Sequence, residues 1–202
     1  MSKERLYIFD TTLRDGAQTQ GVDFSVDDKV KVSSALDNLG VDYIEGGWPG
    51  ANPTDTDFFQ KKHIFTNAKL TSFGMTKKIG RSADNDPGLS ALLNSNTPAV
   101  CLVGKSWDFH VDIALGISNE ENLENISESA KHFVKKEKEF IFDAEHFFDG
   151  YKANPKYAIS CLKAAYDQGS RWIILCDTNG GTLPHEITKI VTEVSKTIPG
   201  NN

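Results

Sequence analysis

The chain repeats one pattern six times: an apolar run rich in Val, Ile and Phe, then a polar loop, then a segment with helical periodicity. Such units predict a parallel sheet covered by helices, because parallel strands need a crossover that a helix usually provides. The fourth run is apolar without alternation, as expected for a strand buried on both faces. The six predicted strands contain LYIF, VDYIEGG, KLTSFG, AVCLVGKS, EFIFDAE and RWIILCD.

Each predicted strand is followed by helix signals. Ser25 and Asp28 have the spacing of a capping box at the start of the first helix, and Thr54 is the predicted N-cap of the second. Pro155 and Pro184 are expected to open the last two helices. The segment NEENLENISESAKHFVKKE is the strongest helix prediction, with acids at its start and lysines at its end. The predicted apolar stripe of the first helix consists of Val26, Val30, Leu36 and Leu39.

Two architectures fit this pattern. A doubly wound sheet is expected to carry G-x-G-x-x-G after its first strand, where this chain has DTTLRDGAQ. A (β/α)₈ barrel places its functional residues at the carboxyl ends of several strands. Polar residues follow at least four strands here: Asp10, Arg14, Asp15, Glu45, Lys105, Asp143, Glu145, Asp177 and Thr178. We therefore predict an α/β fold, a TIM barrel of which the chain contains the first six βα units.

Length and linkers favour one domain. A chain of 202 residues is long enough for one good core, with two small domains as the weaker option. No segment rich in Pro, Gly and Ser marks a boundary. The expectation is a single catalytic-barrel domain over residues 1–202, truncated at KTIPGNN, where a seventh strand is due.

Composition narrows the class of protein. The 39% hydrophobic and 25% charged residues are typical of a globular chain, and the net charge of −6 does not favour binding to nucleic acid. Lys77 and Lys78, near Arg81, form a compact basic spot. No stretch approaches the roughly 20 apolar residues of a membrane helix, and the N-terminus has no signal-peptide pattern. Three cysteines in apolar runs indicate reduced core thiols, so we expect a cytoplasmic protein without membrane or nucleic-acid partners.

The motif DTTLRDGAQ resembles the signature of the DRE-TIM metallolyases. The stretches DYIEGGWPGANPTD, GKSWDFHV, DAEHFFDGYKANP and LCDTNGGTLPHE are similar to the citramalate synthase branch, so the resemblance covers residues 5–198. It implies an acyltransferase that condenses acetyl-CoA with a 2-oxo acid, pyruvate, to give citramalate in isoleucine and leucine biosynthesis. 2-Isopropylmalate and homocitrate synthases are the alternatives within the family. It also implies small-molecule substrates and a homodimeric full-length protein.

The resemblance assigns roles to five residues. Asp15 is the implied ligand of a divalent metal, whose other protein ligands are the histidines of a His-x-His motif that this sequence lacks. Oxygen ligands suit Mg²⁺ or Mn²⁺, and histidines shift the preference toward Mn²⁺ or Zn²⁺. Arg14 is expected to stabilise negative charge on the ketone or enolate oxygen, and Gln18 to donate a hydrogen bond to the same oxygens. Glu145 is expected to act in deprotonating the acetyl methyl group, and Thr178 to bind the substrate carboxylate.

Several residues keep a structural alternative. Asp10 is expected to cap a loop or hold Arg14 rather than to bind metal, and Glu145 is alternatively a salt-bridge partner. His146 is a core or supporting histidine rather than a ligand, and Asn179 with the two glycines after it is a tight turn or an anion site. An acyl-CoA channel and core packing are equally open for Trp107, Phe109 and His110. At the level of function, a non-catalytic barrel fragment and a lyase or aldolase of the same superfamily remain as alternatives.

Overall fold

The computed structural model describes residues 5–200, and six strands lie among them. The pairings β1–β2, β2–β3 and β5–β6 are parallel, and the strands follow one another in the order of the sequence. A doubly wound sheet reverses its strand order at a switch point, and no such reversal occurs among the strands within residues 5–200. The strands are β1 (Phe9–Asp10), β2 (Tyr43–Gly47), β3 (Lys69–Met75), β4 (Ala99–Lys105), β5 (Glu139–Glu145) and β6 (Trp172–Leu175).

Helices occupy the segments between these strands, as predicted. Two short helices, Asp108–His110 after β4 and Phe147–Ala153 after β5, were not expected from the sequence. The helices are α1 (Val26–Leu39), α2 (Pro53–Gln60), α3 (Pro87–Asn94), α4 (Asp108–His110), α5 (Asn119–Lys135), α6 (Phe147–Ala153), α7 (Pro155–Tyr166) and α8 (Pro184–Thr197). Within residues 5–200, none of the helices has the length and apolar character that a membrane span requires.

The first strand is shorter than predicted. The run LYIF was expected to form it, but β1 begins at Phe9, and Leu6 is 83% exposed. Ile8 is held through its backbone: its carbonyl oxygen accepts hydrogen bonds from the N–H groups of Asp42 and Tyr43, and its own N–H donates to the Asp42 carboxylate at 2.8 Å. The apolar character of this run therefore did not predict burial.

The helix caps agree with the sequence at α1 and differ at α2. The Ser25 hydroxyl accepts the N–H of Asp28, and the Asp28 carboxylate accepts the N–H of Ser25, which completes the predicted capping box. Thr54 is not the N-cap of α2, because Pro53 already occupies the first turn. Asn52 caps the helix instead, and its side-chain oxygen accepts the N–H of Asp55 at 2.7 Å.

Two compact units make up the chain. The first consists of Met1–Gly74 and Pro87–Cys101, and the second of Met75–Asp86 and Leu102–Asn202. The core cluster of the first unit contains Leu13, Val41, Ile44, Phe58, Phe59 and Leu70. Fully buried residues of the second unit include Ile126, Ala130, Phe133, Phe142, Cys161 and Leu162. The single domain that ends before strand seven stays a prediction.

Helix α1 buries polar residues where an apolar stripe was predicted. Val26, Val30 and Leu36 pack only partly against the core of the first unit, and Leu39 is 78% exposed, so its assignment to the stripe was wrong. The fully buried line of this helix, at a spacing of four residues, is polar and consists of Lys29, Ser33 and Asp37. Buried polar groups are tolerated when each has hydrogen-bond partners, and these three have them.

Asp37 uses its carboxylate to hold the loop that leads into β3. Its oxygens accept the backbone N–H groups of Thr66, Asn67 and Ala68 at distances of 2.8 to 3.1 Å. Burial by itself raises the pKa of Asp37, but the N–H donors from this loop outweigh it, so that the pKa lies below its ordinary value of 3.8. The ionised carboxylate is therefore the form that the folded chain stabilises.

We expect Asp37→Asn to lower the free energy of unfolding by about 2 kcal/mol at pH 7, because charge-assisted hydrogen bonds are replaced by weaker ones. A group with a lowered folded-state pKa contributes its full stability above the unfolded pKa and loses it as the pH falls through the folded value. The difference between variant and parent should therefore shrink below pH 3.8. Urea unfolding between pH 7 and pH 2 measures it, with Asp27→Asn on the exposed face of the same helix as the control. A difference independent of pH would contradict this account.

Candidate active site

The loop after β1 is wound tightly by its own backbone. The carbonyl oxygen of Thr11 accepts the N–H groups of Arg14, Asp15 and Gly16 at 2.9 to 3.1 Å. The Asp10 carboxylate accepts the N–H of Thr12 at 2.9 Å, so Asp10 caps the loop, which was one of its two expected structural roles. The loop therefore presents Arg14 and Asp15 in a defined conformation.

Arg14 forms a buried ion pair with Glu45 of β2. Its Nε lies 2.6 Å from the Glu45 carboxylate, whose side chain is 0% exposed, and its Nη1 lies 3.0 Å from the carboxylate of Asp15. The guanidinium also stacks on the ring of Phe73, 3.9 Å from the ring centre. Three contacts in different directions thus fix one cationic group, which is the kind of preorganised charge that stabilises an oxyanion.

The same side chain borders a cavity of about 310 Å³. Arg14 and Gln18, two of the residues chosen from the sequence, both line it, together with Trp48, Ala51 and Asn52. A cavity of this volume is large enough for a small organic acid. The structure thus brings together two of the predicted substrate contacts within the first unit.

Asp15 was predicted to bind a divalent metal, and its carboxylate is 64% exposed beside Arg14. A hard divalent cation takes about six oxygen ligands, and one carboxylate provides at most two. Among the described residues, no group of three or more His, Cys, Asp or Glu ligand atoms within 4.8 Å of one another includes Asp15. The residues around Asp15 therefore fit one ligand of a metal and not a complete coordination sphere.

The second unit carries a polar cluster at the ends of β4 and β5. Glu145 forms an ion pair with Lys105, which confirms the predicted salt bridge. The catalytic role of Glu145 stays a prediction. Ser106 fixes the same turn, because its hydroxyl donates to the carbonyl oxygen of Glu145 at 2.7 Å. Asn122 of α5 donates to the carbonyl oxygen of Lys105 at 2.9 Å.

Thr178 lies after β6, and its hydroxyl oxygen accepts the backbone N–H of His146 at 2.9 Å. His146 has a left-handed backbone with φ of 53°, and its Nδ1 lies 3.2 Å from Asp149. Asn179 donates its side-chain N–H to the same Asp149 carboxylate at 3.0 Å. The sequence did not single out Asp149, which here connects the loops after β5 and β6. The turn predicted at Asn179–Gly181 is present, and the Gly180 N–H donates to Asp177.

An aromatic group lies beside this cluster. The ring centres of Trp107 and His110 lie 4.7 Å apart, and those of His110 and His146 lie 4.4 Å apart in an edge-to-face contact. Burial lowers the pKa of His110 below its ordinary value of 6.5, and the nearby His146 and Lys105 lower it further, which favours the neutral imidazole. Phe109 is 50% exposed, so core packing does not account for all of the predicted aromatic stretch.

The structure also shows where the predicted basic spot and the three cysteines lie. The basic spot at Lys77 and Lys78 is not a surface patch, because Lys77 is 7% exposed and forms an ion pair with Glu128 at 3.0 Å. The cysteines are free thiols as expected, and two of them, Cys101 and Cys161, are buried. Burial raises the pKa of Cys161 to about 12, which keeps this thiol protonated.

Known proteins are similar in sequence to this chain over nearly its whole length. The HMGL-like family model matches residues 5–202. The chain is 53% identical to the (R)-citramalate synthase of Aquifex aeolicus over 96% of its length, and 50% identical to that of Geobacter sulfurreducens over 98%. The 2-isopropylmalate synthase of Sediminispirochaeta smaragdinae is 31% identical over 96%. The chain spans only 37%, 38% and 37% of the lengths of these three proteins.

Solved structures share its fold. The hydroxymethylglutaryl-CoA lyase from Pseudomonas aeruginosa aligns with a TM-score of 0.78 at 16% identity, covering 96% of this chain and 65% of that one. The HMG-CoA lyase from Brucella melitensis aligns with a TM-score of 0.76 at 14% identity, covering 96% and 70%. The predicted fold class, a TIM barrel represented by its first six βα units, is confirmed.

We expect Arg14→Met to lower the free energy of unfolding by about 3 kcal/mol, because it takes the guanidinium away from a fully buried carboxylate. Combining it with Glu45→Gln should cost less than the sum of the two single changes, since the charge that needs the cation is then absent. Urea unfolding of the four proteins measures this coupling. Arg5→Met is the control, since Arg5 pairs with Asp42 but is 69% exposed and should cost less than about 1 kcal/mol. Additive costs would show that the buried pair is not an energetic unit.

Proposed function

The chain belongs to the HMGL-like family, and on this premise we propose that the protein is an acyltransferase that condenses acetyl-CoA with pyruvate to give citramalate. Five (R)-citramalate synthases with 43–53% identity over 95% or more of the chain support pyruvate as the 2-oxo acid. The 2-isopropylmalate synthases, at 29–32% identity, provide the alternative, in which the 2-oxo acid is larger. The stretches DYIEGGWPGANPTD and DAEHFFDGYKANP resemble the citramalate synthase branch and therefore also favour pyruvate.

One observation carries the proposal: the Arg14 guanidinium is fixed on Glu45 and Phe73 at the edge of a cavity that Gln18 also lines. Attack of a carbon nucleophile on a ketone moves negative charge onto the ketone oxygen. An arginine is always protonated, so it offers that oxygen a permanent charge and paired donors without reorganisation. Gln18 adds a neutral donor to the same oxygens.

Glu145 and Thr178 have the other two roles in this proposal, proton removal and binding of the substrate carboxylate. We assign Glu145 the removal of a proton from the methyl group of acetyl-CoA, directly or through a water molecule. The methyl carbanion then bonds to the ketone carbon of pyruvate, and the electron pair of the C=O π bond moves onto the ketone oxygen, which takes up a proton to give the hydroxyl group. Water then cleaves the thioester to a carboxylate and free CoA. Lys105 holds one oxygen of Glu145, which fixes the direction of the carboxylate. The hydroxyl of Thr178 accepts a bond from His146, so its own hydrogen is oriented away and is available to the substrate carboxylate.

The family resemblance also implies a divalent metal, Mg²⁺, Mn²⁺ or Zn²⁺, which would polarise the ketone when bound. Asp15 offers it one hard oxygen ligand, and the described residues around Asp15 do not supply the rest. On the same resemblance we propose a homodimer for the full-length protein.

The function is tested by adding acetyl-CoA and a 2-oxo acid to the full-length protein and measuring free CoA with a thiol reagent. We expect release with pyruvate and much slower release with 2-oxoisovalerate. Arg14→Lys should lower kcat by about 100-fold, the usual cost of losing one oxyanion donor, whereas Arg81→Lys on the exposed surface should not. Faster release with 2-oxoisovalerate would move the assignment to 2-isopropylmalate synthase. No release with any 2-oxo acid would overturn the proposal.

Glu145→Gln is expected to lower kcat by at least about 100-fold, since the amide does not accept the proton. The KM for pyruvate should change little, because the proposed proton belongs to acetyl-CoA. Steady-state kinetics of the full-length protein measure both, with Glu124→Gln on the exposed face of α5 as the matched control. A raised KM with an unchanged kcat would assign Glu145 to binding alone.

A further inference from the structure

We propose that Lys29 is a positioning residue that holds Arg14 in register with Glu45. The inference deepens the proposed function, since it concerns the arginine assigned to charge stabilisation there. It rests on a buried ion pair between Lys29 and Asp55 that the sequence did not single out. Lys29 and Asp55 also line the cavity beside Arg14, but all three N–H donors of Lys29 are bound to protein groups, so Lys29 does not itself donate to the reacting atoms.

The ammonium group of Lys29 lies between two backbone segments. Lys29 is 2% exposed, and its Nζ donates to the carbonyl oxygen of Leu13 at 2.8 Å and to that of Gly46 at 3.0 Å. Leu13 directly precedes Arg14, and Gly46 directly follows Glu45. The two residues whose carbonyls Lys29 joins are therefore the immediate neighbours of the two ion-pair partners.

The third donor of the ammonium goes to Asp55 in α2. The other oxygen of Asp55 accepts the backbone N–H of Trp48 at 2.8 Å and the side-chain N–H of Asn52 at 3.0 Å. Gly47 makes this approach possible, because a Cβ at this position would overlap the Asp55 carboxylate. The pair thus connects α1, the end of β2 and the start of α2 through one charged centre.

This arrangement determines position as well as stability. An ammonium has three N–H donors, and all three are used here in fixed directions. A buried charge is costly unless every donor is satisfied, so the carbonyls of Leu13 and Gly46 must stay within hydrogen-bond distance of one nitrogen. These two hydrogen bonds therefore fix the distance between the loop that carries Arg14 and strand β2, which carries Glu45. A displacement of about 1 Å at a catalytic group can lower the rate by about 100-fold.

Two variants test the proposal, each with a control on the same helix. Asp55→Asn removes the countercharge and keeps the shape, and Lys29→Met combined with Asp55→Asn removes the ammonium without leaving a carboxylate behind. The controls are Asp57→Asn on the exposed face of α2 and Lys31→Met on the exposed face of α1. If the double variant does not fold, Asp55→Asn alone decides the outcome.

The first measurement does not depend on activity. The Nε–H of Arg14 donates to a fully buried carboxylate, so its NMR signal should exchange slowly with water. We expect exchange at least about tenfold faster in the two variants and unchanged in the controls, because a displaced guanidinium loses that protection. Unchanged exchange in folded variants would overturn the proposal.

The second measurement uses kcat of the full-length protein. Lys29→Met with Asp55→Asn should lower kcat at least about tenfold in the parent and have almost no further effect when Arg14 is already lysine. A general structural role would instead lower kcat by the same factor in both backgrounds, which would overturn the positioning role. If the parent releases no CoA with any 2-oxo acid, the proposed function fails, and the exchange of the Arg14 Nε–H still decides on Lys29.

Discussion

The ion pair between Arg14 and Glu45 is the interaction on which the candidate site of the first unit depends. A fully buried glutamate is costly unless a cation compensates it, and arginine remains protonated at any pH that a protein tolerates. The pair therefore persists, and it holds the guanidinium where Phe73 stacks on it and where Asp15 accepts one of its N–H groups. This contact adds to the backbone hydrogen bonds that already order the loop after β1.

Polar contacts also support the elements behind the site. Helix α1 buries Lys29, Ser33 and Asp37 in place of an apolar line, and each of them contacts backbone groups of a loop or a neighbouring turn. Such bonds are directional, whereas apolar packing tolerates sliding. Lys29 thus ties the helix to the loop after β1 and to the end of β2, and Asp37 ties it to the loop before β3. This suits a site whose chemistry depends on the placement of one charge.

The second unit uses the same principle at the ends of β4, β5 and β6. Lys105 holds Glu145, and Thr178 holds the backbone of His146, which has adopted a left-handed conformation. Backbone conformations of this kind persist only where the surrounding contacts impose them, and they are common at functional sites. The motif DAEHFFDGYKANP, which resembles the citramalate synthase branch, is the segment that carries these contacts.

The sequence by itself determined the succession of six βα units, the capping box at Ser25, the prolines that open α7 and α8, and the family. These follow from local periodicity, cap chemistry and contiguous motifs, all of which can be read without distant neighbours. Only the tertiary structure decided that Leu39 is exposed, that Asn52 and not Thr54 caps α2, and that Lys29 and Asp55 form a buried pair. Lys29 and Asp55 are 26 residues apart, and lysine and aspartate are usually surface residues. Burial of a charge depends on which partners the fold brings to it, and no local pattern contains that information.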